Sequence, residues 1–126
     1  MKQNVFVYGT LKQGFGNHGI LNRAKFVGIG TTVSGAFKML DGGFPMVLTD
    51  GLFKVTGELY EVPDETTLKN LDRLEGVPTL FVRHPVEVEV QGETYDALMY
   101  VGAERYQHGS WNNYIIPNEN NVVSWR

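Results

Sequence analysis

Glu75 is the residue of this chain whose type and position point most directly to chemistry. Residues 62–76 read as a short helix with an apolar stripe at Leu68, Leu71 and Leu74. At about 100° per residue, Glu75 projects between Leu68 and Leu71, onto the stripe rather than the wet face. It also falls in the last turn, where free carbonyl ends disfavour negative charge. Loss of solvent and the helix end both favour the neutral acid, so the sequence predicts a carboxyl with a raised pKa. Such a group can take a proton at one stage of a reaction and return it at another, near neutral pH. Periodicity alone admits a second arrangement equally well, in which Glu75 reaches solvent or pairs with Arg73 or Arg83.

The second chemical feature is Tyr8-Gly9-Thr10-Leu11, directly after a short apolar run. A glycine at the end of a buried strand lets successive backbone N–H groups turn toward one point, and such a nest binds an anion such as a carboxylate. A plain strand-to-turn junction has the same spacing. Just downstream, Gly14-Phe15-Gly16-Asn17-His18-Gly19 is a literal G-x-G-x-x-G. A dinucleotide site needs its first glycine in the tight turn and a long crossover helix behind it. Here the glycine comes too late and the next segment is short and glycine-broken. The P-loop spacing from Gly9 to Gly14 fails because Phe15 stands where lysine must be. His18 is read as a loop residue that hydrogen-bonds nearby backbone.

The elements that must position these residues follow from pattern. Residues 4–8 form a buried strand, with a glycine-rich loop over 9–19 and a turn of helix at 19–22. Residues 26–40 are β-rich, and Gly28, Gly30 and Gly35 within them predict bulges or bends, as in a curved or closing sheet. Pro45–Leu48 and Phe53–Val62 read as two strands split by the turn Thr49-Asp50-Gly51. Asp64 is the helix N-cap, with Glu65 in the first turn; Gly76 ends the helix and Pro78 prevents its restart. Residues 80–90 alternate as a half-exposed strand, and Gln91-Gly92 turns it into a hairpin with 94–101. Residues 102–126, with Trp111, Tyr114 and Trp125, read as an irregular tail laid over the body. About six strands and one clear helix, without βαβ alternation or repeats, predict an α+β fold. Its form is a small, mostly antiparallel β-barrel or strongly curved sheet with the 64–75 helix packed on it.

Composition narrows the function. The chain has 126 residues, the size of one domain, with 42% apolar and 20% charged residues, as in an ordinary folded protein. A net charge of −3 with scattered basic residues gives no reason to bind nucleic acid or an anionic membrane. No apolar stretch approaches the roughly 20 residues of a transmembrane helix. The absence of cysteine rules out disulfides and a thiolate nucleophile and permits a reducing cytosol. His18, His84 and His108 are far apart, so no metal site is expected.

Val5-Phe6-Val7-Tyr8-Gly9-Thr10-Leu11-Lys12, followed by Asn17-His18, resembles the signature of the γ-glutamylcyclotransferase-like (AIG2-like) family. Leu71-Asp72-Arg73-Leu74-Glu75-Gly76-Val77-Pro78, with Phe81 and Arg83 behind it, resembles the family's catalytic-glutamate segment. Gly57-Glu58-Leu59-Tyr60 stands where the family has the strand before its helix. The resemblance covers roughly residues 4–101, and the pair of motifs is specific where either alone would be weak. The tail from Tyr114 to Asn120 is most similar to the γ-glutamylamine cyclotransferase branch. The resemblance implies a cofactor-free reaction in which the substrate's α-amine attacks its own γ-glutamyl carbonyl, giving 5-oxoproline and a free amine. It implies Glu75 as the acid/base, and Tyr8, Gly9, Thr10 and Leu11 as the holders of the glutamyl end. Pro45 and Phe81 are candidate pocket walls; the family often has tyrosine where this chain has Phe81. The expected partner is a small γ-glutamyl molecule, with the protein cytoplasmic and a monomer or weak homodimer. The rival reading is a noncatalytic module on the same fold that binds a small acidic molecule or a protein.

Overall fold

In a computed structural model, residues 2–109 and 111–125 are described. The strands are β1 (Gln3–Val7), β2 (Lys25–Thr32), β3 (Phe37–Asp41), β4 (Pro45–Val62), β5 (Phe81–Val90), β6 (Glu93–Gly102) and β7 (Val122–Val123). The main helix is α1 (Glu65–Leu74); α2 (Glu104–Gln107) is a single turn, and His18–Leu21 forms a turn of 3-10 helix. The sheet is mixed and strongly curved. It runs β1-β6-β5-β2-β4-β3, and β1 also pairs with β4. Most pairings are antiparallel; β1 with β6 and β4 with β7 are parallel.

The hairpin forms as its turn dictates. Gln91 and Gly92 both have positive φ, 50° and 85°, as a two-residue turn matched to strand twist requires. Its register pairs Val90 with Glu93 and, farther along, Arg83 with Tyr100. The glycines of β2 act as their spacing predicts. The register slips between Phe26 and Gly28, and a Cβ on Gly28 or Gly30 would lie 2.5 Å from Val90 or 2.7 Å from Val88. The sheet therefore curls until β2 and β5 touch.

The structure departs from the sequence reading in four places. Residues 45–62 are one strand, not two: Lys38 pairs with Leu48 and Phe37 with Phe53, so residues 49–52 bulge out of a continuing β4. Thr49-Asp50-Gly51 has turn chemistry, but a large bulge needs the same residues. Residues 26–40 divide into β2 and β3 around the bend at 33–36. Tail residues 102–126 contain α2 and β7, and Trp125 is buried with its ring 5.0 Å from Phe15. Leu74, expected on the buried stripe, is 40% exposed, whereas Leu68 and Leu71 are in the core.

The core has two parts. One fills the interior of the curl around Phe6, Met39, Leu59, Val88 and Met99. The other lies where α1 packs its Leu68 and Leu71 against Val5, Val7, Tyr60 and Val62. No helix among the described residues is long and apolar enough to cross a membrane.

Candidate active site

Glu75 is the C-cap of α1, and the turn after it is tightly specified. The Gly76 N–H donates to the Arg73 carbonyl (3.2 Å) and the Val77 N–H to the Asp72 carbonyl (3.0 Å), with Gly76 at φ +66°. This double closure needs a residue free to adopt positive φ, which glycine supplies. At the other end Asp64 accepts from the Thr67 N–H at 2.8 Å, as the N-cap pattern predicts. With both ends capped, the helix sets Glu75 where it lines the cavity.

The opposite wall grows from β1. Beyond Val7 the chain turns sharply, and its carbonyls are taken up within the loop. The Gly9 carbonyl accepts from Lys12 N–H (3.0 Å), that of Thr10 from Asn17 N–H (3.1 Å), and that of Leu11 bonds His18 Nδ1 (2.9 Å). The Asn17 amide also donates to Thr10 Oγ1 at 2.8 Å. Among the described residues the N–H groups of Gly9, Thr10 and Leu11 donate to nothing in the protein. A run of unspent donors whose carbonyls are occupied elsewhere is an anion-binding nest. Gly9 is required by close approach: a Cβ there would lie 2.8 Å from Pro45 Cγ. His18 has the structural part expected of it, ordering the loop.

These two walls meet. Tyr8, Gly9, Thr10, Leu11, Pro45, Glu75 and Phe81 all line one cavity of about 260 Å³, together with Phe44, Leu74 and Tyr100. Every residue nominated from the sequence is therefore brought to one place. The volume suits a small metabolite or the end of a larger one. The Glu75 side chain is half-buried, and burial raises its pKa from 4.5 to about 7. Among the described residues it makes no ion pair. Arg83, one partner weighed from the sequence, is held by Asp72, and Arg73 reaches the Asn70 side chain.

Tyr100 was missed by sequence reasoning. It is buried, lines the cavity, and donates from its hydroxyl to Asp72 Oδ1 at 2.7 Å; Asp72 also receives both Arg83 donors, at 2.9 and 2.5 Å. The hairpin turn carried the signal, because its register sets Tyr100 opposite Arg83. Burial works against the Asp72 charge, but the Arg83 and Tyr100 hydrogen bonds hold its pKa below the usual carboxylate range. The Tyr8 hydroxyl donates to the Tyr100 carbonyl (2.6 Å) and accepts from Val47 N–H (3.1 Å), fixing its ring between β4 and β6. Burial raises both phenol pKa values, so both stay neutral donors.

The triad of Asp72, Arg83 and Tyr100 ties α1 to the hairpin. Asp72→Asn keeps an acceptor for Tyr100 but removes the charge pair. Because Arg83 is partly exposed, the expected loss is about 1 kcal/mol. Urea unfolding at pH 7 measures it, and an unchanged midpoint would show that the pair does not tether the helix.

The model of the family described as "Gamma-glutamyl cyclotransferase, AIG2-like" matches residues 5–116. The chain is 35% identical over 104 residues to the γ-L-glutamyl-butirosin B γ-glutamyl cyclotransferase of Niallia circulans, covering 78% of this chain and 65% of that protein. It is 37% identical over 97 residues to the mouse γ-glutamylaminecyclotransferase, covering 69% and 64%. The chain thus spans just under two thirds of the length of each. The crystal structure of a mouse AIG2-like protein superposes with a TM-score of 0.72 at 29% identity, over 99% of this chain and 96% of that one.

Proposed function

The chain belongs to the γ-glutamyl cyclotransferase, AIG2-like family, and from that premise we propose that it cleaves a γ-glutamyl amide by internal cyclisation. The observation that carries this reading is a half-buried carboxyl, raised to a pKa of about 7, lining the same cavity as a run of unspent amide donors.

The site has the parts such a reaction asks for. The substrate's α-amine is the nucleophile, so no serine or cysteine need supply one. Glu75 as carboxylate takes a proton from the amine as its nitrogen attacks the γ-carbonyl carbon. The new C–N bond closes a five-membered lactam, and the carbonyl oxygen carries the developing charge. The Gly9–Leu11 donors can hold the α-carboxylate or that oxygen; pre-aimed donors in a shielded site stabilise developing charge far better than water does. Glu75 then gives its proton to the departing nitrogen as the old C–N bond breaks. The products are 5-oxoproline and a free amine, with no water consumed. Folding the substrate back on itself supplies much of the rate, since effective molarities of about 10⁵ M or more accompany well-oriented pairs. No step requires a cofactor.

The preferred substrate class is the γ-glutamylamines, such as γ-glutamyl-ε-lysine. In support, the mouse relative is named for γ-glutamylamines and the bacterial one for γ-glutamyl-butirosin B, so the glutamyl end recurs while the amine differs. Incubation with a panel of γ-glutamyl amines and γ-glutamyl amino acids, followed by mass spectrometry, tests the reading. Equal amounts of 5-oxoproline and free amine are expected. Glutamate in place of 5-oxoproline would mean hydrolysis, and a folded protein that binds the panel without any product would be a binding module.

A further inference from the structure

The mouth of the cavity is apolar on the side of Phe44 and Leu74, while the exposed Asn17 also lines it, and that apolar side restricts what can leave past it. Phe44 and Leu74 line the cavity yet are 41% and 40% exposed, so they stand at its opening; Phe81 and Tyr100 are buried and form its floor. The Phe44 ring lies against Phe81, with centroids 6.2 Å apart and planes at 57°. This rim is fixed in place. Gly43 turns the chain at φ +96°, and the Gly42 N–H donates to the Phe44 carbonyl at 3.2 Å. From the tail, the Asn113 side chain donates to the Asp41 carbonyl, and the Asp41 N–H donates to the Asn113 carbonyl at 2.9 Å. Among the described residues lining the cavity, Glu75 alone carries a charge. Arg83, paired with Tyr100 across the hairpin and not part of the cavity lining, is occupied by both oxygens of Asp72.

We propose that Phe44 and Leu74 select the leaving amine, favouring an amide nitrogen that carries an apolar segment and rejecting one whose next carbon bears a carboxylate. The proposal rests on the cyclotransferase reading above. Methylenes or an aryl ring laid across the rim remove apolar surface from water on both partners. A carboxylate at the same point would be desolvated against two apolar side chains, with no cation on the cavity wall to pair it. The ε-amide of lysine passes this filter, because its methylene chain crosses the rim before its charged end. An α-linked γ-glutamyl amino acid does not.

The test compares γ-glutamyl-methylamide, γ-glutamyl-n-pentylamide and γ-glutamyl-norleucine. The last two share an alkyl chain and differ by one carboxylate. Wild type is expected to favour the pentylamide over γ-glutamyl-norleucine by about tenfold or more in kcat/KM, mostly through KM. Phe44→Arg supplies a cation at the mouth and is expected to shrink that preference about tenfold. Leu74→Ser serves as the second variant should the first fold poorly, and is expected to shrink the preference of pentylamide over methylamide. Equal turnover of pentylamide and γ-glutamyl-norleucine by wild type, or a preference unmoved in a folded variant, overturns the proposal. If methylamide is cyclised while the preference is absent, the rim inference alone fails. If none of the three is cyclised, the cyclotransferase reading fails and the rim inference falls with it.

Discussion

Glu75→Gln is expected to lose turnover by about 10³-fold or more while becoming more stable at high pH. The first effect is the removal of the one carboxyl among the described residues lining the cavity, and general acid–base catalysis contributes about 10² to 10⁴ in rate. The second follows from linkage. A pKa of about 7 in the folded protein against 4.5 for a free glutamate means the native state keeps a proton that the unfolded chain releases. Folding of the wild type therefore weakens as pH rises from 4.5 to 7, and the penalty is complete above that window. The full shift corresponds to about 3 kcal/mol at 1.36 kcal/mol per unit, and screening of a half-buried group reduces it to about 2 kcal/mol. Glutamine fills the same space and pays no such penalty. Its melting temperature should exceed wild type by about 6 °C at pH 8 and by little at pH 4. A glutamine variant that is inactive and also destabilised at pH 8 would mean that Glu75 holds the fold together, leaving catalysis to another residue.

A substrate stripped of its α-amine should bind and go no further. A glutaryl amide keeps the carboxylate for the Gly9–Leu11 donors and the scissile amide beside Glu75, but has no internal nucleophile. No amine release above background is expected, with competitive inhibition at a concentration near the KM of the matching γ-glutamyl amide. The loss should equal nearly the whole rate acceleration, because effective molarity of the order of 10⁵ M disappears with the amine. Release of amine with glutarate would show that water attacks in this site, and the internal mechanism would be wrong.

Local signals carried far in this chain. Asp64, Gly76 and the Gln91-Gly92 turn each fix backbone within a few residues, so the helix and the hairpin stand where spacing puts them. Glu75 was legible because a charged residue on a helical stripe conflicts with its surroundings, and such conflicts gather at functional sites. What was not legible is non-local. The parallel pairing of Val5 with Leu98 and Phe6 with Met99 brings β1 beside β6 across more than ninety residues, and no local pattern encodes it. The bulge at 49–52 has the composition of a turn, and only the pairing of Phe37 with Phe53 shows that the strand resumes its course. Leu74 continues the helical stripe in sequence but in space lines a cavity and is exposed to solvent. Tyr100 had to be found by counting along the hairpin, since a tyrosine in a strand is ordinary until its neighbours Asp72 and Arg83 are known.

Titration of the Glu75 side-chain carboxyl by ¹³C NMR, in protein labelled at glutamate and assigned against Glu75→Gln, tests the central claim most directly. A midpoint near pH 7 in the free protein is the result this account requires, since desolvation in the cavity is what makes the group a proton carrier. A midpoint near 4.5 would place the carboxyl in bulk water, with neither the desolvation nor the reactivity assigned to it.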